Sequence, residues 1–457
     1  MSLKIDNIKA LTDNMDFNKE KIKFQGVGNR KVIVSFDGGK ITSDAGGLLL
    51  GEVESRSHIL KKFSECFTDY RKYCDYSVKD LISQRILGII LGYEDLNDHE
   101  KLRYDPTLIS LVGNKLAGKS TLNRLESAEA SINNRYKKII FEEKKIEDFF
   151  VEVFIDSFSS APKEIILDMD ATDDEIHGNQ EGRFYQGYYG HYCYLPLYIF
   201  CGDFLLCAKL RSSNIDGAFG AKDELERIIK KIREKWPNVR IKVRGDGGFC
   251  RDEIMTWCEG NNCKYIVGMP KNTRLTKIIE EEMSCAKFAY QQILEPSRVF
   301  KTFNYRTLDS WGKERKVIAK AEHLEKGSNP RFIVTSLESV DDGNYLYEEV
   351  YCQRGEMENR IGEMKNDLFS GRTSCTKFKS NQLRLWFSAV AYALSNELRR
   401  TALKGTELAK AHFSTIREKI FKIGASVVVT ATKIHFHFAS SYPFSELFKN
   451  IKQNIAF

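Results

Sequence analysis

Three carboxylates stand where phosphoryl-transfer chemistry would use them. Asp170 closes the run Ile165-Ile166-Leu167-Asp168-Met169-Asp170, and Asp246 closes Ile241-Lys242-Val243-Arg244-Gly245. Glu358 lies within Tyr351-Cys-Gln-Arg-Gly-Glu-Met-Glu-Asn-Arg-Ile-Gly-Glu-Met-Lys365. An acidic group at the end of an apolar strand is costly to bury without a cation or a donor. Carboxylate oxygens are hard ligands that suit Mg²⁺, which keeps waters and phosphate oxygens as further ligands. Two such ions, about 3.5–4 Å apart, would activate a nucleophile and stabilise a leaving oxygen. For either aspartate alone, capping the next turn is the plainer role; three carboxylates in this order argue for a metal site. Asp168 shares a strand face with Asp170 and is its nearest rival.

The elements that must position these groups can be read from periodicity. At about 100° per residue, Tyr351, Arg354, Glu358 and Lys365 share one narrow helical stripe. Val350, Met357, Ile361, Met364 and Leu368 form an apolar stripe beside it, so the helix can bury one face and offer the other to a site. Glu356 and Glu363 fall outside the polar stripe. Upstream, Glu164–Asp170 reads as a strand, and Tyr194–Phe200 with Phe204–Leu210 as a hairpin around Gly202-Asp203. Asp223–Trp236 reads as a helix, Arg240–Val243 as a strand, Phe249–Glu259 as a helix and Lys264–Val267 as a strand. This order predicts an α/β (α+β) fold with a mixed sheet covered by helices. Residues 271–340 read as polar and β-rich, with helices expected near 344–368, 380–402 and 405–422 and strands in 425–438.

The four-position pattern Tyr351, Arg354, Glu358, Lys365 resembles the signature helix of bacterial DDE transposases. Asp170-Ala171-Thr172 resembles the first-aspartate motif of that family, and Arg244-Gly245-Asp246-Gly247-Gly248-Phe249 the second. Leu167–Asp174, His177-Gly178 and Gln180-Glu181-Gly182 are closest to the group-1 DDE insertion-sequence branch, related to piggyBac elements. Asp37-Gly38-Gly39 and Ser43-Asp44-Ala45-Gly46-Gly47-Leu48 resemble it too. The resemblance implies a ribonuclease H-like catalytic fold in which Asp170, Asp246 and Glu358 are catalytic and hold two Mg²⁺ (or Mn²⁺). It implies cleavage at the element ends and strand transfer into target DNA, carried out by a homodimer in the bacterial cytoplasm or nucleoid. Arg354 and Lys365 would grip phosphates, and Tyr351 would contact DNA near the cut. Trp311 is a candidate to hold a flipped base. The gap of 112 positions from Asp246 to Glu358 is then explained by a β-rich insertion.

The expected organisation is a mostly helical, DNA-binding region over 1–160, a catalytic domain in two parts (161–270 and 344–402), the insertion (271–343) and a C-terminal helix and strand region (403–457). Residues 113–120, Gly-Asn-Lys-Leu-Ala-Gly-Lys-Ser, match a phosphate loop, so a P-loop ATPase is the main rival. The same residues fit a turn and a helix capped by Ser120, with Lys119, Asn123 and Arg124 turned to DNA. A DNA-binding protein without catalysis is the third reading. Lys377, Lys379, Arg384, Arg399 and Arg400 are candidates for backbone contacts.

Composition sets the limits. The 457 residues are 42% hydrophobic and 29% charged, which excludes wholesale disorder and provides for several folding units. No apolar run is long enough for a spanning helix, and Met1–Asp6 begins no secretory stretch. The 11 cysteines are scattered with no CxxC pair, as expected of free thiols. His177, His191, His435 and His437 lack ligand spacing. A net charge of +7 permits nucleic-acid binding without showing it.

Overall fold

The computed structural model describes residues 21–127, 130–338 and 343–456. Met1–Asp6, read above as beginning no secretory stretch, lies outside the described residues. The chain forms two compact units: one of 1–143, 363–372 and 386–457, the other of 144–362 and 373–385. All three catalytic candidates fall in the second unit.

That unit is built on one large mixed sheet. Its strands are β1 (Glu164–Ala171), β2 (Leu197–Cys201), β3 (Phe204–Lys209), β4 (Arg240–Gly245), β5 (Cys263–Met269), β6 (Ser297–Tyr305), β7 (Arg315–Leu324) and β8 (Arg331–Thr335). They lie in the order β3-β2-β1-β4-β5-β8-β7-β6. β4 is parallel to both β1 and β5, while β2 and β3 run antiparallel. The first five strands are thus the ribonuclease H-like arrangement. Helix α1 (Ala221–Lys235) makes the crossover from β3 to β4, and α2 (Asp252–Gly260) the one from β4 to β5. Leu225, Ile228, Ile229 and Ile232 of α1 are buried in one core with Leu167, Met169 and Val243 of the sheet. Their i, i+3, i+4, i+7 spacing is what lets α1 lie flat on it.

Several boundaries move from the sequence reading, each for a local reason. The strand expected over Tyr194–Phe200 breaks at Pro196, which has no N–H to give a ladder; Tyr194 instead ends a strand of a small separate sheet. The helix expected from Phe249 starts at Asp252, because Gly247–Phe249 forms a 3₁₀ turn capped by Asp246. The stretch 271–343 is not only β: it carries helices Thr273–Ile278 and Glu280–Ile293. Its strands also do not stand apart. β8 pairs with β5 from Ile266↔Thr335 to Met269↔Phe332, so β6, β7 and β8 extend the catalytic sheet itself.

The other unit is helical, with Leu48–Ser57, Ile59–Ser64, Val78–Ile90, Pro106–Val112 and Lys119–Leu125 in its first half. The motif at 43–48 is part of its core. A side chain on Gly46 would come within 1.7 Å of the Ile420 carbonyl oxygen, so only glycine fits there. Beside it, buried Asp44 accepts from the Tyr93 hydroxyl (2.6 Å) and pairs with Lys422 (2.6 Å).

The P-loop reading fails here. A phosphate loop follows a strand and opens a helix with free amides. Gly113 instead ends the helix Pro106–Val112, with φ +77°, and the next helix begins at Lys119 behind Gly118, not at Ser120. The loop's amides already have partners: Ala117 N–H donates to Gln84 Oε1 (2.8 Å) and Lys119 N–H to Glu100 Oε1 (2.9 Å). A carboxylate at the amide of Lys119 is the opposite of a phosphate cradle.

Gln84 also donates to His99 Nδ1 (3.1 Å), which leaves the ring proton on Nε2, buried and without a hydrogen-bond partner. Burial, with a smaller push from Arg85, lowers the imidazole pKa from 6.5 to about 3. The unfolded chain therefore takes up a proton near pH 6.5 that the folded chain refuses until about pH 3. Stability is whole above pH 6.5 and falls as pH drops, by up to about 1.4 kcal/mol per unit. Melting temperatures between pH 7 and 4.5 should show a shallower acid slope for His99→Gln than for the unchanged protein; equal slopes would remove His99 as the cause.

Candidate active site

Strand register brings the two aspartates together. β4 runs parallel to β1 with Arg244 opposite Asp168 and Gly245 opposite Met169. One residue further, Asp246 leaves β4 alongside Asp170, about one strand spacing (~4.8 Å) away. Asp246 accepts the Gly248 N–H on Oδ1 (2.9 Å), which fixes its rotamer. The third carboxylate comes from the helical segment 343–362. Val350, Met357 and Ile361 are buried along it while Glu358 stays exposed, as the stripe requires.

This helix is not uniform. Leu346–Tyr351 winds as a π-helix, Cys352–Arg354 as 3₁₀, Gly355–Gly362 as α and Glu363–Asp367 as π again. Such changes of winding are frequent at functional sites, since they re-aim side chains. Tyr351 is aimed at β5: a side chain on Gly268 would reach 2.5 Å from the Tyr351 hydroxyl and 2.8 Å from the Gly247 amide. Gly268 is therefore what admits Tyr351 to the sheet end.

The electrostatics are those of a carboxylate cluster with one internal cation. Arg354 Nη2 donates to Glu358 Oε1 (3.2 Å), and Nη1 lies 4.0 Å from Asp170 Oδ1. That Nη1 is buried and makes no hydrogen bond. Burial raises the Asp170 carboxyl pKa to about 6; Arg354 opposes the rise, and the charges of Asp246 and Glu358 add to it. Tyr351 is also raised, first by burial, then by Asp246 against Arg354. The donors are all hard oxygens, and their mutual repulsion is what a divalent cation would relieve, so the residues fit such an ion.

Asp168 is settled by its partner. It is buried and holds Arg244 through two hydrogen bonds, one of them Nη2 to Oδ2 at 2.7 Å. The third arm of Arg244 donates to the Val350 carbonyl. Arg244 thus ties β1, β4 and the Glu358 helix together. Sequence reasoning missed this role, although the signal was present: one charged residue facing inward on each of two adjacent apolar strands must pair.

A family model for the transposase DDE domain, group 1, matches residues 24–457. The chain belongs to this family. It is a DNA transposase of the DDE type. No curated protein matches it. Among solved structures it is similar to a cryo-EM structure of a piggyBac transposase synaptic complex with hairpin DNA, at 11% identity and a TM-score of 0.42, covering 83% of this chain and 80% of that one.

The remaining candidates of the transposase are distributed as follows. Lys365 lies half-buried in the π-helical turn Glu363–Asp367, which belongs to the other compact unit. Lys119, Asn123 and Arg124 are exposed on their helix while Leu122 and Leu125 are buried, so that face is open to a partner. Trp311 does not behave as a free base clamp. It is 3% exposed, edge-on to Tyr305 at 6.0 Å, with the Arg315 guanidinium 5.5 Å from its ring. Of the later basic residues, Arg399 is buried against Glu363 and Arg400 pairs with Glu397, whereas Lys377 and Lys379 are exposed. Among the described residues, the three-residue group with potential ligand atoms within 4.8 Å of one another is Glu363, Asp367 and His412, not Asp170, Asp246 and Glu358. Arg399 already neutralises Glu363 through two contacts, at 2.5 and 3.2 Å, so that group is a structural ion pair. No helix among the described residues is long and apolar enough to cross a membrane.

Proposed function

We propose that Asp170, Asp246 and Glu358 are the catalytic, metal-holding residues of this transposase, and that it cleaves phosphodiester bonds at the ends of an insertion sequence and joins them to target DNA. The observation that carries this reading is the strand register that sets Asp246 beside Asp170, with Glu358 delivered to the same place by a helix bound to the same sheet. Two Mg²⁺ or Mn²⁺ ions, when bound, would supply charge neutralisation and an activated nucleophile in each in-line step.

The chain's own residues do the positioning. Arg354, with one buried guanidinium nitrogen that makes no hydrogen bond, is placed to take a non-bridging oxygen of the scissile phosphate. Tyr351, held over Gly268, borders the same phosphate. Lys365 serves as a further phosphate contact. Lys119, Asn123 and Arg124 serve in reading the element ends, with Lys377 and Lys379 adding backbone contacts. Joining two ends in one complex calls for a homodimer acting on DNA in the nucleoid.

The test is metal removal. A labelled duplex of the element end should be cut to a 3′-hydroxyl product with Mg²⁺ or Mn²⁺, left intact after EDTA treatment, and cut again when metal returns. Cutting that persists in excess chelator would refute the assignment.

A further inference from the structure

The described part of the chain opens with a β-hairpin of Ile22–Val27 and Arg30–Val34. Its turn is specified by two glycines. Gly28 sits at φ +58°, and a side chain on Gly26 would come within 2.7 Å of the Arg30 carbonyl oxygen. Among the described residues the two strands pair only with each other. A two-stranded hairpin alone is marginal in water, and it gains stability when one face is covered.

The register shows which face needs cover. Ile22 lies opposite Val34, Phe24 opposite Val32 and Val27 opposite Arg30, and residues directly opposite share a face. That face is apolar but for Arg30 at the turn, and Phe36 continues its alternation. Lys23 lies opposite Ile33, so Lys23 and Lys31 belong to the other face. Ile22, Phe24, Val27 and Phe36 are 44%, 60%, 73% and 63% exposed, with Val32 and Val34 half-buried among them. A patch of this kind on a globular chain marks a contact with a partner.

We infer that two copies of the chain meet on this face, hairpin against hairpin. The inference rests on the homodimer proposed above and gives it a surface. The area is sufficient. At ~200 Å² for a large side chain, the four exposures amount to roughly 500 Å² on each copy. Two copies would then bury about 1,000 Å², the level a stable interface has to clear, before Val32 and Val34 are counted. The charges agree. Residues 21–36 hold Lys21, Lys23, Arg30 and Lys31 and no acidic residue. Apolar faces brought together turn Lys23 and Lys31 of one copy away from those of the other, so the lysines do not repel across the contact. DNA is the other partner that a basic hairpin suits. Phosphates would neutralise the lysine face, however, and leave Ile22, Phe24 and Val27 in water.

The test is sedimentation of the full chain, free and with a duplex of one element end, together with amide hydrogen exchange at low and high protein concentration. The unchanged protein should dimerise, and the amides of 22–36 should exchange more slowly as concentration rises. Phe24→Glu should weaken the dimer about 30-fold or more, as removal of an aromatic anchor does, and should abolish the added protection. Its melting temperature should hold, since that ring is mostly exposed in the single chain. Lys23→Glu/Lys31→Glu, on the other face, should dimerise as the unchanged protein does. A dimer that survives Phe24→Glu would overturn the inference, and so would equal weakening by the lysine variant. Loss of end-DNA binding by Phe24→Glu with the dimer intact would overturn it too, since the hairpin would then be a DNA ribbon. Each of these results leaves the homodimer standing. A chain that stays monomeric even on end DNA refutes the homodimer itself, and the hairpin contact falls with it.

Discussion

Asp246→Asn should leave the protein folded and able to bind element-end DNA while slowing strand cleavage by about 10²–10³-fold or more. The substitution is nearly isosteric. The asparagine Oδ1 can still accept the Gly248 N–H, now at 2.9 Å, so the turn Gly247–Phe249 keeps its cap. What is lost is one negative charge beside Asp170. In the metal-free protein that charge is a burden, since it helps to push the Asp170 carboxyl up to about 6. Its removal should therefore leave the melting temperature unchanged or raise it. Falling activity with rising stability is the signature of a group whose charge serves a ligand, and a residue that merely props up the fold would lose both together. Single-turnover cleavage of a labelled end duplex and a thermal melt read the two effects. Cleavage within threefold of the unchanged protein would remove Asp246 from the centre.

The helix of Glu358 was legible because its information is local. A 100° step places Tyr351, Arg354 and Glu358 on one edge and Val350, Met357 and Ile361 on another, and the latter three are buried. The changes in winding at Leu346–Tyr351 and Glu363–Asp367 leave the three polar residues together, but no periodicity announces them. The strand-end aspartates were legible for a similar reason: an apolar run that stops at a carboxylate marks both an element and its exit. Their neighbourhood was not, because it depends on which strands pair and in which register. Residues 297–335 were readable as strands, yet alternation cannot say that β8 joins β5 and so extends the catalytic sheet. At 113–120 the sequence misled, since the four fixed positions define a phosphate loop only when a strand precedes them, and here a helix does.

The charge arrangement also changes meaning with the structure. A net +7 over 457 residues is modest because 63 Asp and Glu nearly balance 70 Lys and Arg, and the cations have divided duties. Arg244, Arg315 and Arg399 are buried and paired with carboxylates, so they stabilise the fold and offer nothing to DNA. The cations proposed above to meet the nucleic acid, Lys119, Arg124, Lys377 and Lys379, are exposed. Salt dependence of DNA binding should follow this second group only, since counterion release counts phosphate contacts.

Arg244→Met should destabilise the transposase by about 3–5 kcal/mol, the usual result of stranding one partner of a buried ion pair. Asp168 would then sit buried among apolar residues with no counter-charge, and the Val350 carbonyl would lose its donor. Asp168→Leu should cost a similar amount for the mirror reason. Combined, the two changes put an apolar pair across β1 and β4, and most of the stability should return, because well-packed apolar replacements of a buried pair are near neutral. Cleavage should not return with it. The contact from Arg244 to Val350 is made on the helix one residue before Tyr351, four before Arg354 and eight before Glu358, so its loss frees the segment that aims all three. Denaturant titration of the two single variants and the double variant, with cleavage rates on the same preparations, separates the effects. Single variants within 1 kcal/mol of the unchanged protein would deny the ion pair its structural role. A double variant that is both stable and fully active would deny Arg244 its hold on the catalytic helix, and leave Asp168 and Arg244 as a pair serving the sheet alone.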